Sequence, residues 1–220
     1  MAAKDSREMA LIGTGAQALL QLASVAAVRD VQRVRVFSPT PQKRKAFIEK
    51  ARALFSFDVI ESSSVENAVE GADIVTLITR AKEPFLHASM LAPKAHLNAV
   101  GAILPAYAEF HQDVFDVSDL IVVDDRENAR RGSGELQQRY LSNEAEWLGL
   151  RLLSELIDEP TDRAGSQRVS IFKGMGMGLS DLAIASMVYE KASARSLGRW
   201  WPHPERIDPI SALARTERFV

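Results

Sequence analysis

Two glycines and an alanine near the start of the chain form a pattern that binds phosphates in many α/β proteins. Gly13, Gly15 and Ala18 follow the short apolar run 9–12 and open a stretch, 16–28, that has helical composition. The first glycine permits a tight turn, the second lets the backbone approach a pyrophosphate, and the small third residue lets the helix pack closely on the strand. Free N–H groups at the start of the helix then attract the phosphates. The pattern predicts a dinucleotide site, with a purely structural turn as the alternative.

The residues that follow the next apolar run bear on the choice between NAD and NADP. In NAD-binding forms, an Asp or Glu near the end of the second strand contacts the ribose hydroxyls. Here Ser38, Pro39 and Thr40 carry no carboxylate, and the cations Lys43 and Arg44 come directly after them. Hydroxyls with nearby cations suit a 2′-phosphate. The sequence therefore favours NADP over NAD, and the alternative is that both cations are solvated on the first turns of a helix.

Strands that alternate with helices are expected to position this turn. We predict strands at 9–12, 34–37, 57–60, 72–78, 94–100, 119–123 and 169–172. We predict helices at 16–28, 41–55, 65–69, 143–157 (with Ser142 as N-cap) and 176–194. Such alternation predicts parallel β-α-β units with right-handed crossovers. The expected fold class is α/β, a doubly wound, mostly parallel Rossmann sheet with helices on both faces and a C-terminal helical extension.

The rhythm of strands and helices changes after residue 140, so we expect three parts. Residues 1–140 are predicted to form the Rossmann dinucleotide-binding domain. Residues 141–198 are predicted to be a C-terminal helix, a strand and a long helix that complete the fold. Residues 199–220 contain three prolines and are predicted to be an irregular tail.

Composition and charge narrow the functional classes. A net charge of −2 gives no electrostatic reason to expect nucleic acid or an anionic membrane as a partner. No apolar run approaches the roughly 18 residues that span a bilayer. Without cysteine the chain has no disulfide framework, and residues 1–9 lack the apolar core of a signal peptide. We therefore expect a cytoplasmic protein with a small-molecule substrate.

The chain also resembles a known family in the order and the amino-acid sequences of its motifs. The matching segments are Gly13–Ala18, 72–75 with Thr79, 98–101 with Pro105 and Glu109, Gly134 with Glu135, and 169–176 with 181–183. Together they are similar to the ornithine cyclodeaminase/μ-crystallin family of NAD(P)-dependent enzymes, over about residues 8–195. The resemblance implies an oxidoreductase acting on an amino-acid-derived imine or keto acid, in the manner of a ketimine reductase or an amino-acid dehydrogenase.

The same resemblance carries cofactor roles onto matching positions of this chain. The residues implicated are Ala16 and Gln17 at the pyrophosphate, 38–40 at the ribose, Thr79, Val100 and Gly101 at the borders of the adenosine and nicotinamide, and Gly174 and Met175 beside the nicotinamide. Most of these positions follow a predicted strand. The resemblance therefore implies that the cofactor lies along one edge of the sheet.

The chain departs from the family at the position of the proposed acid/base. In the cyclodeaminases the segment after the fifth strand reads Gly-Asp-x-Pro-Gly-Lys, and its Asp has that role. Counted back from Pro105, the Asp position holds Ile103, and the Lys position holds Tyr107. Isoleucine cannot transfer a proton, so ornithine cyclodeamination is not expected. Imine reduction stays open, with the catalytic residue unknown and Tyr107 as a candidate proton donor.

Members of the family also carry a substrate-binding and dimerisation domain ahead of the glycine-rich strand. Only twelve residues precede Gly13 here, so we expect that domain to be absent and the apolar face of 176–194 to be exposed or used for association. A natural truncation, one half of a split gene and a misplaced start codon all stay open. The alternative function is a non-catalytic NADP(H)-binding module, or a subunit that needs a separate substrate domain. We expect a homodimer or dependence on such a partner.

Other residues that could do chemistry have simpler explanations. The four histidines show no metal-ligand spacing, so we predict no metal site: they are His87, His96, His111 and His203. Asp124 and Asp125 suit loop closure or a helix cap better than a metal. Lys173 is a weak candidate for a side chain that faces the crevice.

Overall fold

A computed structural model describes residues 1–140, 142–159, 163 and 165–202 of the chain. Eight strands lie within these residues: β1 (Glu8–Ile12), β2 (Arg33–Phe37), β3 (Asp58–Glu61), β4 (Ile74–Leu77), β5 (His96–Ala99), β6 (Ser118–Val123), β7 (Arg151–Leu152) and β8 (Val169–Lys173). They form one sheet in the order β3-β2-β1-β4-β5-β8-β6-β7, and every neighbouring pair is parallel. The order reverses between β1 and β4, as a doubly wound sheet requires. The predicted fold class is confirmed.

Helices of the first 177 residues pack on both faces of this sheet. They are α1 (Ala18–Ala26), α2 (Pro41–Leu54), α3 (Val65–Val69), α4 (Asp113–Asp116), α5 (Arg126–Gly132), α6 (Gly134–Tyr140), α7 (Glu144–Gly149) and α8 (Leu153–Asp158), and a further helix, α9 (Gly178–Ala194), follows along the chain. Alternate residues of a strand point to opposite faces. Accordingly, Met9 and Leu11 of β1 join an apolar core with α1 and α2, whereas Ala10 and Ile12 join a second core with α3. Both faces of β1 are therefore buried.

The segment 143–157, predicted as one helix with Ser142 as N-cap, contains two short helices and a strand. The N-cap of α7 is Asn143, whose side chain accepts a hydrogen bond from the N–H of Glu146. After α7, Leu150 is buried, and β7 then pairs with the edge of β6 before α8 begins. The pairing of β7 with β6 and the burial of Leu150 interrupt the helix that the spacing of apolar residues predicts. The prediction of one continuous helix was wrong.

The chain divides into two compact units, Met1–Met177 and Gly178–Val220. The first contains the whole sheet, so the division falls later than residue 140, where the sequence pattern changes. The predicted tail 199–220 lies largely outside the described residues. In the second unit α9 exposes large apolar side chains, namely Leu179, Leu182, Ile184, Met187, Val188 and Tyr189. No helix in the described part of the chain has both the length and the apolar content that crossing a bilayer demands.

His96 is buried at the start of β5 and is held as a neutral ring. Its Nε2 lies 3.0 Å from Oδ1 of Asn98, an atom that can only accept, so Nε2 carries the proton. Its Nδ1 lies 2.9 Å from Oγ of Ser170 and accepts from that hydroxyl. Burial, followed by the positive charge of the N-terminus, lowers the pKa of His96 from 6.5 to about 4.

This histidine makes the stability of the fold depend on pH. Because its folded-state pKa is depressed, the unfolded chain binds the proton more readily between pH 6.5 and about 4. The contribution of neutral His96 is complete above that window and is lost as the pH falls through it. From pH 7 to pH 5, we expect the wild type to lose about 2 kcal/mol more of its free energy of unfolding than His96→Gln. Urea unfolding of both proteins at the two pH values measures the difference, and parallel losses would contradict the assignment.

Candidate functional site

The residues that the sequence assigned to a cofactor all lie at one edge of the sheet. They follow the carboxyl ends of five adjacent strands, in the spatial order β2, β1, β4, β5 and β8. Gly13–Gln17 come after β1, Ser38–Arg44 after β2, Thr79 after β4, Val100–Gly101 after β5 and Gly174–Met175 after β8. In open parallel sheets, ligands bind beyond this edge where the strand order reverses. Here that place lies between β1 and β4, beside the glycine-rich turn.

Gly13 and Gly15 differ in what the fold requires of them. Gly13 has a φ of 113°, and a Cβ added to it would lie 2.5 Å from the carbonyl oxygen of Ile78. Only glycine fits where the turn passes the end of β4. Gly15 is exposed, and an added Cβ would meet nothing within 4 Å. The fold therefore leaves the space at Gly15 open to a ligand.

The first turn of α1 adds hydrogen-bond donors to this open space. The N-cap residue Gln17 makes no capping hydrogen bond with its side chain. Gly15, Ala16 and Gln17 are all exposed. The N–H of Ala18, the first residue of α1, donates to the carbonyl oxygen of Gly15 at 3.1 Å, so the donors that suit an anionic group are those of the exposed residues before it. The turn and the helix start together suit a phosphate.

On the ribose side, Arg44 already has a partner. Its Nε lies 2.7 Å from Oε1 of Glu61, and its Nη1 donates to the carbonyl oxygen of Ser38. The guanidinium lies over the ring of Phe37, with Cζ 5.5 Å from the ring centre. Glu61 ends β3, the neighbour of β2, so a carboxylate does stand near the ribose-side segment. Lys43 is exposed. Glu61 could not be recognised from the ribose-side segment of the sequence, because it comes from the next strand.

The loops after β4, β5 and β8 pack tightly against each other. A Cβ added to Gly101 would lie 2.2 Å from the backbone nitrogen of Thr79 and 2.5 Å from Oε1 of Glu109. A Cβ added to Gly174 would lie 3.1 Å from Cγ1 of Val100. The two glycines therefore allow three neighbouring loops to approach one another at the site.

Three charged side chains are buried beneath these loops, and we call them the buried charge cluster. They are Glu109, Glu135 and Lys173, each at most 1% exposed. Nζ of Lys173 lies 3.2 Å from Oε2 of Glu135 and donates to the carbonyl oxygen of Ala102 at 2.7 Å. The ammonium group of Lys173, a weak candidate for the crevice, is thus enclosed by protein and unavailable to a substrate.

Asp124 and Asp125 serve the local structure. Asp124 accepts hydrogen bonds from the N–H groups of Met175 at 2.9 Å and Gly176 at 2.6 Å. Asp125 is the N-cap of α5 and accepts from the N–H of Asn128 at 2.7 Å. The pair therefore holds the segment after β8 and starts a helix, the use that the sequence analysis favoured over a metal.

Two of the histidines meet, although their spacing along the chain gave no sign of it. The rings of His87 and His111 stack with their centres 3.7 Å apart, and Nδ1 of His87 lies 3.2 Å from Oδ2 of Asp113. They line a pocket of about 350 Å³. Across the described ranges, no group of three His, Asp or Glu side chains is arranged to hold a metal ion. His203 lies outside those ranges.

Comparison with known proteins agrees with this geometry. The model of the ornithine cyclodeaminase/mu-crystallin family matches residues 1–196. The chain belongs to this family. The resemblance inferred from the motifs is therefore confirmed.

Relatives within the ornithine cyclodeaminase/mu-crystallin family include reductases and cyclodeaminases. The chain is 28% identical to a Δ1-pyrroline-2-carboxylate reductase of Bacillus cereus, over 90% of this chain and 61% of that protein. It is 31% identical to an ornithine cyclodeaminase of Brucella suis, over 87% of this chain and 52% of that protein. The solved Δ1-pyrroline-2-carboxylate reductase of Thermococcus litoralis, in complex with NADH and L-proline, superposes with a TM-score of 0.83 at 26% identity, over 91% of this chain and 62% of that one. The chain thus spans 52–62% of the length of these relatives.

This member of the ornithine cyclodeaminase/mu-crystallin family has an apolar loop after β5. Ile103, which the motif resemblance matches to the acid/base of the cyclodeaminases, is 47% exposed, and Tyr107 is half-buried. The loop rests on α5 and α6: a Cβ added to Gly132 would lie 3.0 Å from the carbonyl oxygen of Ile103, and one added to Gly134 would lie 2.6 Å from that of Tyr107. Residues 103–107 therefore pack closely against α5 and α6, and they include no carboxylate.

Proposed function

We propose that this chain binds a nicotinamide dinucleotide at the carboxyl edge of β2, β1, β4, β5 and β8 and takes part in reducing an amino-acid-derived imine or keto acid. The observation that carries the proposal is the turn between β1 and α1, where a glycine required by the fold is followed by an open glycine and an uncapped helix. A pyrophosphate suits this place because backbone N–H groups replace part of its hydration. The imine and keto-acid class is supported by the reactions for which the relatives are named.

Each part of the edge would hold a different part of the cofactor. Gly15, Ala16 and Gln17 would bind the pyrophosphate, and residues 38–40 the adenosine ribose. The loops after β4, β5 and β8 would enclose the nicotinamide, which supplies or accepts the hydride when bound. The protein orients the two reactants and excludes water. Within 103–107, Tyr107 is the side chain that could give a proton to an imine nitrogen.

Titration of the purified chain with NADPH and with NADH, followed by nicotinamide fluorescence, tests the proposal. A micromolar dissociation constant for either cofactor would support the site, and the ratio of the two constants would give the preference. No binding at millimolar cofactor would overturn the proposal.

We further propose that the chain prefers NADP. Because Arg44 already pairs with Glu61, the cation that would favour the 2′-phosphate is Lys43. We expect Lys43→Ala to weaken NADPH binding about fivefold. This factor corresponds to roughly 1 kcal/mol, the energy of an ion pair between exposed groups. NADH lacks the 2′-phosphate, so its affinity should stay the same. Lys50→Ala, an exposed cation on the same helix, is the matched control. An equal loss for both cofactors in Lys43→Ala would contradict the assignment, as would tighter binding of NADH by the wild type.

A second candidate is a cofactor-binding module, or a subunit that needs a separate substrate domain. It is favoured by the exposed apolar side chains of α9. This candidate predicts NADPH binding without turnover of Δ1-pyrroline-2-carboxylate by the chain alone, whereas turnover would exclude it. Light scattering then distinguishes a homodimer from a monomer that lacks its partner. The cytoplasmic location stays a prediction.

A further inference from the structure

The buried charge cluster contains a carboxylate whose four hydrogen bonds all come from two loops of the proposed site. Oε1 of Glu109 accepts from the N–H of Thr79 at 2.6 Å and from its hydroxyl at 2.7 Å. Oε2 accepts from the N–H groups of Gly101 and Ala102, both at 3.0 Å. One side chain thus joins the backbone that follows β4 to the backbone that follows β5.

The charged form of Glu109 fits these hydrogen bonds. Three of the four partners are backbone N–H groups, which can only donate, and the fourth is the hydroxyl of Thr79, which can also donate. Burial raises the pKa of Glu109 above its ordinary value, and the bonds from Thr79 oppose this effect. These donors take the place of water around the buried carboxyl group.

The backbone of Glu109 is itself bound by the second carboxylate of the cluster, Glu135. Its own N–H donates to Oε1 of Glu135 at 3.0 Å. Glu135 is fixed by Lys173 at 3.2 Å and by the hydroxyl of Ser133 at 3.1 Å. Lys173 also donates to the carbonyl oxygen of Ala102, whose N–H donates to Glu109. The buried charge cluster therefore binds both polar backbone groups of Ala102, in the loop after β5. The loops after β4 and β5 therefore have one buried support.

This support lies on one side of the reversal of strand order. In a dinucleotide-binding sheet, the adenosine half lies over the side of β1 that adjoins β2, and the nicotinamide half lies over the other side. The strands β4, β5 and β8 form that other side. The cluster is therefore under the place expected for the nicotinamide and away from that of the adenosine.

We propose that Glu109 is a positioning residue for the nicotinamide half of the cofactor. It acts through the backbone at Thr79, Gly101 and Ala102 and does not touch the cofactor itself. This inference rests on the proposed function, since it assumes that a dinucleotide binds at the edge. It adds that the two halves of the cofactor are held by separable parts of the protein.

The test compares a ligand that has the nicotinamide with one that lacks it. In Glu109→Gln, an amide NH₂ replaces one acceptor oxygen and faces backbone donors, which loosens the two loops without changing the size of the side chain. We expect the affinity for NADH to fall about tenfold. The affinity for ADP, which has only the adenosine and pyrophosphate part, should change less than twofold. His96→Gln, buried at the far end of β5, is the control and should leave both affinities unchanged.

Hydrogen exchange and a second variant keep the test decisive. In Glu109→Gln the amide protons of Gly101 and Ala102 should exchange faster while those of β1 and β2 keep their protection. If Glu109→Gln does not fold, Glu135→Gln is compared with the same two ligands, and the same selective loss of NADH affinity is expected. Equal losses for NADH and ADP would show a general structural role and overturn the inference, as would unchanged affinities in a folded variant. If the wild type binds NADPH and not NADH, NADPH takes the place of NADH in this comparison. The results above overturn the inference alone, whereas a wild type that binds neither dinucleotide overturns the proposed function with it.

Discussion

Replacement of Lys173 by methionine is expected to lower the free energy of unfolding by about 3–5 kcal/mol, the cost of breaking a buried ion pair by removing one partner. Methionine has a similar length but no charge, so Glu135 would stay buried without its counter-ion. The carbonyl oxygen of Ala102 would also lose its donor at 2.7 Å. Urea unfolding followed by the fluorescence of Trp147, which is 1% exposed, measures the loss.

Two further variants separate the ion pair from the loss of a lysine. Lys50 is exposed on α2, so Lys50→Met should change the unfolding free energy by no more than about 0.5 kcal/mol. The double variant Lys173→Met with Glu135→Gln removes both charges, and we expect it to be less destabilised than the sum of the single variants by at least about 1 kcal/mol. A loss below about 1 kcal/mol in Lys173→Met alone would mean that Glu135 is hydrated or rearranged, contrary to the structure.

The sheet could be predicted because its signals are local. The first six strands have their apolar residues either in a short run or in alternation with polar residues, and the observed bounds differ from the predicted ones by at most two residues. The glycine-rich turn could likewise be predicted, since its backbone geometry depends on adjacent residues. By contrast, the edge strand β7 has only two residues. Its formation depends on pairing with β6, and the spacing of apolar residues around it indicates a helix instead.

The contacts that support the candidate site could not be predicted, since they join distant parts of the chain. Glu61 reaches Arg44 across 17 residues, and Lys173 reaches Glu135 across 38. In the sequence, Glu135 and Lys173 are two residues of separate family motifs, and nothing there indicates that they form an ion pair. Lys173 could be given only as a weak candidate for the crevice, because nothing local shows that a carboxylate and a carbonyl oxygen enclose it. The pairing of β2 with β3 and of β5 with β8 creates these contacts, so they become visible only with the topology.

The second large effect is expected at the two glycines of the turn: replacing Gly15 should weaken cofactor binding, and replacing Gly13 should lower the free energy of unfolding. Gly15→Val should leave the free energy of unfolding within about 0.5 kcal/mol, because an added Cβ meets nothing within 4 Å. The same variant should weaken NADPH and NADH binding by about 100-fold, or roughly 3 kcal/mol, since its side chain fills the space that a pyrophosphate needs. Fluorescence titration and urea unfolding of the same sample give both numbers.

Gly13→Ala provides the opposite case. Its φ of 113° and the carbonyl oxygen of Ile78, 2.5 Å from the new Cβ, should lower the unfolding free energy by about 2–4 kcal/mol. In the fraction of Gly13→Ala that stays folded, the cofactor affinity should fall less than in Gly15→Val. Gly13 packs against the end of β4, whereas Gly15 borders the space proposed for the ligand. If Gly15→Val bound the cofactor like the wild type, no phosphate would lie at this turn. The cofactor site would then have to be sought elsewhere along the edge of the sheet.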